Sequence, residues 1–367
     1  MTGSAKGKKV FVAMSGGVDS SVAAALLQET GYDVEGITLC FGTRGVPVSD
    51  GHLHARRVCE TLGISHHVLD VGSDVRDLVI ENFMKEYLEG RTPNPCVRCN
   101  QHIKFGVLFD EVIRRGADYL ATGHYARLRN NEARGCFELL KAADEEKDQT
   151  YFLYGIGKDV LPRVLFPLGD KRKDEVRALA HTFGLEAAQR PESQDICFIP
   201  REGYQQFIRH RVGDEAFVPG DFKDPSGRVV GRHKGIAHYT IGQRDKLGLA
   251  LGHPVYVYKI DSATHTVYVG TEESLYASSL TARGFNALCP EILKGKIEVG
   301  VKIRYNAPEV KGFGTLTENA WLRVDFAVPQ KAVTPGQSVV LTRGDVVLGG
   351  AVIDEAFACD PRNSATR

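Results

Sequence analysis

Two sets of residues in this sequence have the types and spacing to do chemistry. The first is Ser15-Gly16-Gly17-Val18-Asp19-Ser20-Ser21, directly after the apolar run Val10–Met14. The glycines allow a tight turn that a bulky side chain would obstruct. Val18 onward, through Ala23 to Leu27, reads as a helix ending near Gly31. Backbone N–H groups and the positive end of a helix dipole then converge on one spot, which suits a phosphate. Ser15, Ser20 and Ser21 are candidate hydroxyl donors, and Asp19 beside an anion suggests work through a magnesium ion. No lysine follows the glycines, which excludes the Gly-x-x-x-x-Gly-Lys-Ser/Thr loop.

The second set is sulfur. Cys96 and Cys99 form a Cys-x-x-Cys pair within Arg91-Thr-Pro-Asn-Pro-Cys-Val-Arg-Cys-Asn100. Pro93 and Pro95 stiffen this stretch and argue against helix. Cys99 stands just before a helix expected from Gln101, whose dipole would favour a thiolate. Arg91 and Arg98 add positive charge. The pair fits half a zinc site, a redox couple or a nucleophile with a neighbour; a structural zinc site wants four ligands, and His102 is a weak third. Cys197 follows acidic and amide residues in Arg190-Pro-Glu-Ser-Gln-Asp-Ile-Cys-Phe-Ile199, and by itself reads as a buried strand cysteine. Cys40, Cys59, Cys136, Cys289 and Cys359 sit in ordinary settings and read as inert.

Elements must position these groups. Strands are expected at Val10–Met14, Asp33–Leu39, His66–Asp70 and Asp118–Thr122, alternating with helices at Gly51–Leu62, Asp74–Leu88 and Gln101–Arg115. That alternation predicts an α/β domain with an open parallel sheet, and ligands at the carboxyl ends of its strands. Met14, Leu39 and Thr122-Gly123-His124 fall at such ends, so adenine is expected between Leu39 and Gly123, with no side chain at 123 to block it. Asp170 reads as a helix N-cap. Lys171, Arg172 and Lys173 after it oppose the dipole and suggest a phosphate partner. Beyond about residue 215 the helical period fades. Val255–Ile260 and Thr266–Gly270 read as a hairpin. Strands at Ile297–Tyr305, Ala320–Phe326, Ser338–Thr342 and Val346–Ile353 suggest a small antiparallel β-barrel. The expected divisions are a catalytic α/β domain over 1–202, a small central module over 203–274 and the barrel over 275–367.

The 367 residues are too many for one ordinary core. Formal charge is zero, with 46 basic and 46 acidic side chains, so a nucleic-acid partner would need a local cationic surface. Arg201, Arg209, His210, Arg211, Arg228, Arg232, His233, Lys234, Arg244 and Lys246 are candidates for it. No apolar run is long enough to span a membrane, and Met1–Lys9 has no signal-peptide core; a cytoplasmic location is the expectation. Eight cysteines in a chain of this length do not make a secreted disulfide scaffold.

Ser-Gly-Gly-Val-Asp-Ser is similar to the pyrophosphate loop of enzymes that split ATP into AMP and pyrophosphate, including GMP synthetases, argininosuccinate synthetases, tRNA lysidine synthetases and tRNA thiolases. Asn94-Pro-Cys-Val-Arg-Cys-Asn100, Ala121-Thr-Gly-His-Tyr125 and Ser193-Gln-Asp-Ile-Cys-Phe-Ile199 follow in order. Together they closely resemble the tRNA-specific 2-thiouridylase family over nearly the whole chain. The resemblance implies an adenine-nucleotide alpha-hydrolase-like fold and thiolation of C2 of the wobble uridine of lysine, glutamate and glutamine tRNAs. ATP with Mg2+ would be bound by Ala13, Met14, Ser15, Gly16, Gly17, Val18, Asp19, Ser20, Leu39 and Gly123. Cys197 would carry a persulfide, and its terminal sulfur would attack C2 directly or be released as sulfide by Cys99, leaving a Cys99–Cys197 disulfide. The sulfur would come from a cysteine desulfurase or a sulfur-relay protein. Asn94, Pro95 and Cys96 would lie against the target base, and His124, Lys147, Asp148, Gln149, Arg304, Tyr305 and Gln337 would touch tRNA. Many family members carry Asp where this chain has Cys96. Cys96, Cys99 and Cys197 could therefore instead hold a 4Fe–4S cluster with one open iron. Two other classes remain: an AMP-forming ligase without sulfur chemistry, and a cluster- or zinc-loaded RNA-binding protein.

Overall fold

The computed structural model describes residues 6–42, 51–185, 196–288, 295–317 and 321–359. Cys289 and Arg190–Asp195 of the Cys197 motif lie outside them, as do Met1–Ala5. In the first part the strands are β1 (Lys9–Ala13), β2 (Asp33–Cys40), β3 (His66–Asp70) and β4 (Tyr119–Thr122). A hairpin of β5 (Arg127–Asn131) and β6 (Cys136–Leu140) follows, then β7 (Val164–Leu165). The sheet order is β3-β2-β1-β4-β7, and every pairing is parallel.

Alternate residues of β1 face opposite sides of the sheet. Val10 and Val12 pack with α1 (Val18–Glu29) and α2 (Gly51–Leu62); Phe11 packs on the other side. Both faces are covered, which is why residues 10–13 are apolar. Two longer helices, α3 (72–88) and α4 (95–114), each contain a π-helical stretch, Arg76–Ile80 and Cys99–Leu108. Helix α5 (Lys173–Thr182) packs beside α1 through Val176 and Ala180. The chain runs β1 to β2 to β3, then returns to β4 on the far side of β1. Strand order therefore reverses between β1 and β4, the crevice where open parallel sheets bind ligands.

The start of α4 differs from expectation. Pro95 does not forbid helix; it occupies the first helical position, where its missing N–H was an orphan anyway. Asn94 caps it, its Oδ1 accepting from Val97 N at 3.4 Å. Cys96 and Cys99 are consequently on a helix, not on a loop before one.

After α6 (Tyr204–Val212), the central module is a sheet of β8 (Gly220–Lys223), β9 (Val229–His233), β10 (Tyr256–Asp261) and β11 (Thr266–Gly270) around Phe222, Val257 and Val267. The barrel follows: β12 (Tyr276–Ala287), β13 (Ile297–Lys302), β14 (Val310–Leu316), β15 (Leu322–Lys331), β16 (Ser338–Arg343) and β17 (Val346–Ala358). They run β12-β15-β14-β13-β16-β17, and β12–β17 pairing closes the ring. Strands β12 and β14 are additions to the sequence reading. Gly312 and Gly314 mute the strand signal of β14, yet a Cβ at 312 would come within 2.9 Å of Asp325 O on β15. The α/β domain and barrel share one sheet, because β6 pairs with β17 through Leu139–Val347 and Leu140–Val346.

Candidate active site

The turn after β1 meets the end of β4 at the crevice. Gly16 has φ +75°, and a Cβ there would lie 2.6 Å from Gly51 O. No side chain caps α1, whose preceding residue is Gly17. Its N-terminus is thus built like an anion site. Ser15 is exposed at the mouth. Ser20 and Ser21 are buried and donate back to Gly17 O at 3.1 and 2.8 Å, so their hydroxyls hold the turn instead of facing outward as expected. Gly123 is also needed for packing. An added Cβ would fall 2.7 Å from Asp19 C and Ser20 N, so β4 packs directly on the first turn of α1.

Asp19 is engaged by two groups the sequence did not connect with it. Lys173 Nζ lies 2.7 and 2.9 Å from its two oxygens, and Tyr125 donates to Oδ1 at 2.9 Å. Arg172, not Asp170, is the N-cap of α5, and its backbone N–H donates to Glu175 Oε2 at 2.7 Å. Asp170 is exposed, whereas Lys173 is buried. Tyr125 N also donates to Gln149 Oε1 at 3.1 Å. Asp148 is buried and accepts from Ala142 N at 3.0 Å and Thr150 Oγ1 at 2.7 Å. The Lys147-Asp148-Gln149 loop is therefore wired through Tyr125 to Asp19 beside the glycine turn, with Asp148 directed inward.

The thiols form the other end of the site. Cys99 packs on the apolar cluster that contains Phe198, beside Cys197, together with Ile196 and Ile199. Cys96, Cys99 and Cys197 are free thiols. Cys96 and Cys197 reach the surface of the site, yet the protein around Cys197 desolvates it and pushes it up to about 12, with Cys99 and then Cys96 adding to it. Burial also raises Cys96 and Cys99, for Cys99 against the expected helix-dipole lowering. Arg91 and Arg98 are not the cations beside them. Arg91 binds Glu86 at 2.7 Å and Asp354 at 3.2 Å, and Arg98 donates to Leu78 O at 2.9 Å. That part falls to Lys104, whose charge lowers all three thiols. Residues five apart diverge on an α-helix; π-helical bonding over Cys99–Leu108 brings Cys99 and Lys104 into line.

Lys104 also joins the two ends. Its Nζ donates to His124 Nε2 at 3.4 Å, which leaves Nδ1–H to donate to Thr122 Oγ1 at 2.7 Å. Burial, then Lys104, holds His124 well below its ordinary value, so it is neutral. His124 directly follows Gly123. Among the described residues no group of three His, Cys, Asp or Glu side chains stands together as a metal site.

The barrel clamps the cysteine helix. Gln337 Nε2 donates to Thr92 O at 3.0 Å and Pro93 O at 3.3 Å, and Thr92 N donates to Pro335 O at 2.9 Å. Arg304 is half-buried and donates to Lys331 O at 3.0 Å and to Ala332 O. Tyr305 packs on Phe152 with ring centroids 4.5 Å apart. In the central module Arg209, Arg228 and Arg232 pair with Asp214, Asp224 and Asp221, so the expected cationic surface is partly neutralised.

Known proteins match this architecture along its length. Family models described as the tRNA methyl transferase HUP domain, the tRNA methyl transferase PRC-barrel domain and the aminomethyltransferase beta-barrel domain match residues 8–201, 205–271 and 277–353. The tRNA-specific 2-thiouridylase MnmA of Pelobacter propionicus is 48% identical over 363 residues, covering 96% of this chain and 99% of that one. Its counterpart in Carboxydothermus hydrogenoformans is 44% identical over 358 residues, covering 95% and 98%. The solved U34-tRNA thiolase NcsA from Methanococcus maripaludis with its 4Fe–4S cluster is 23% identical over 53% of this chain and 62% of that chain. Its TM-score of 0.36 is too low to carry chemistry across. With relatives of this identity aligned almost end to end, the chain belongs to the tRNA-specific 2-thiouridylase family.

Proposed function

We propose that this protein uses ATP to activate C2 of the wobble uridine in lysine, glutamate and glutamine tRNAs and replaces its oxygen with sulfur. The uridine O2 attacks the α-phosphorus, pyrophosphate leaves with the bonding electron pair, and the base loses its N3 proton. A persulfide on Cys197 then attacks C2, and AMP departs with the oxygen. Cys99 as thiolate attacks the inner sulfur of Cys197. The sulfur–sulfur bond breaks, its electrons stay on the sulfur attached to C2, and a Cys99–Cys197 disulfide forms. An external thiol reductant supplies two electrons to restore both thiols. Sulfur is donated by a cysteine desulfurase or a sulfur-relay protein, in the cytoplasm.

One observation carries this reading: Gly123, packed on the glycine turn, leads straight to His124 and Lys104, and the charge of Lys104 lowers all three thiols. An adenylated base at the crevice would have sulfur within the same site. A ligase without sulfur chemistry would have no use for that arrangement. Mg2+ keeps several waters and binds through phosphates. Asp19 fits this role as a nearby oxygen, so the ion would enter with the nucleotide. When bound it would screen phosphate charge.

The test is thiolation of transcribed glutamate tRNA with ATP and a cysteine desulfurase. Wild type should yield 2-thiouridine and AMP together, and Cys197→Ser should yield no 2-thiouridine. AMP formation without 2-thiouridine in the wild type would transfer the case to the ligase reading, and 2-thiouridine from Cys197→Ser would remove Cys197 from the relay.

A further inference from the structure

A cation in a first helical turn meets the positive end of the dipole. A buried ammonium is costly, and an apolar side chain of similar volume is often as good or better for stability. Lys173 is nonetheless only 8% exposed. Its backbone N–H is fixed to Asp144 Oδ2 at 2.9 Å, and its side chain reaches to α1. There Nζ bridges both oxygens of Asp19 at 2.7 and 2.9 Å and lies 5.6 Å from the Tyr125 ring centroid. Asp19 sits in the first turn of α1, where the dipole already favours a carboxylate. The uncapped start of α1, the start of α5 and an ammonium thus meet at the glycine turn, with Asp19 as their counter-charge.

We propose that Lys173 grips the pyrophosphate end of ATP, and that its ion pair with Asp19 is the resting form of that phosphate site. A polyphosphate entering the turn offers the ammonium more negative charge than one carboxylate does. In the cleavage step the bond from the α-phosphorus to the bridging oxygen breaks, and its electron pair stays on pyrophosphate. Lys173 answers that charge without giving up a proton. This deepens, and rests on, the ATP-cleaving reading above.

The test measures binding of inorganic pyrophosphate and of adenosine to the full chain by calorimetry in EDTA, with no tRNA or sulfur donor present. Lys173→Met should weaken pyrophosphate binding by between about ten- and a hundredfold and leave adenosine unchanged. Lys173→Arg, which keeps the charge, should retain most of the affinity. Asp19→Asn removes the competing carboxylate and should tighten pyrophosphate binding. If Lys173→Met leaves Asp19 unpaired and does not fold, the double variant Lys173→Met/Asp19→Asn removes both charges and should show the same loss. Undiminished pyrophosphate binding without Lys173, a parallel loss for adenosine, or weaker binding in Asp19→Asn overturns the proposal. A chain that shows the expected binding pattern but thiolates no tRNA would refute the sulfur-transfer reading alone.

Discussion

Gly123 and Cys197 show how much one residue can decide here. Gly123→Ala would place a methyl group 2.7 Å from the backbone of Asp19 and Ser20. Forcing β4 off the phosphate turn should cost about 1–3 kcal/mol, read as a lower urea midpoint together with weaker ATP binding. Wild-type values for both would contradict the packing. Cys197, pushed up to about 12, is a thiol at neutral pH. Its thiolate fraction, and its alkylation rate by iodoacetamide, should therefore rise about tenfold per pH unit from about pH 7 to 9. A plateau below about pH 9, where an ordinary thiol levels off, would be the contrary result. The glycines, Asp19 and the cysteines were legible as types in a pattern. Lys173 was seen only as an ill-placed cation, because its partner is 154 positions away.

At the level of elements, the sheet was readable because both faces of β1 are buried and the run is purely apolar. The start of α4 was not, because Pro95 carries opposite meanings inside a helix and at its first position. Lys104 was missed for a related reason. A spacing of five from Cys99 means nothing on an α-helix and becomes meaningful only once the π-helical stretch is known. Asn94→Ala should remove the cap of this helix and cost about 0.5–2 kcal/mol in urea unfolding. It should also slow thiolation more than ATP-dependent steps, because the cap orients Cys96 and Cys99. Unchanged stability and turnover would mean that the 3.4 Å contact contributes nothing.

Across the whole molecule, the barrel serves the α/β domain directly. Leu139 and Leu140 join β17, Arg91 reaches Asp354, and Gln337 holds Thr92 and Pro93. The sequence signalled a barrel but not this attachment, since pairing between distant strands leaves no local pattern. Calorimetry should find the α/β domain and barrel unfolding in one transition; two separate transitions would show that the shared sheet does not couple them. Gln337→Ala should reduce thiolation at unchanged ATP affinity, because Gln337 clamps the cysteine helix and does not touch the phosphate turn. Loss of ATP affinity in that variant would contradict the division of labour.

The central claim is that the sulfur passing to the base leaves Cys197 as Cys99 closes on it. A single turnover of persulfide-loaded protein with ATP and glutamate tRNA, without reductant, followed by peptide mapping, tests it directly. The account predicts Cys99–Cys197 disulfide in the same amount as 2-thiouridine; a full yield of 2-thiouridine with both cysteines still free would contradict it.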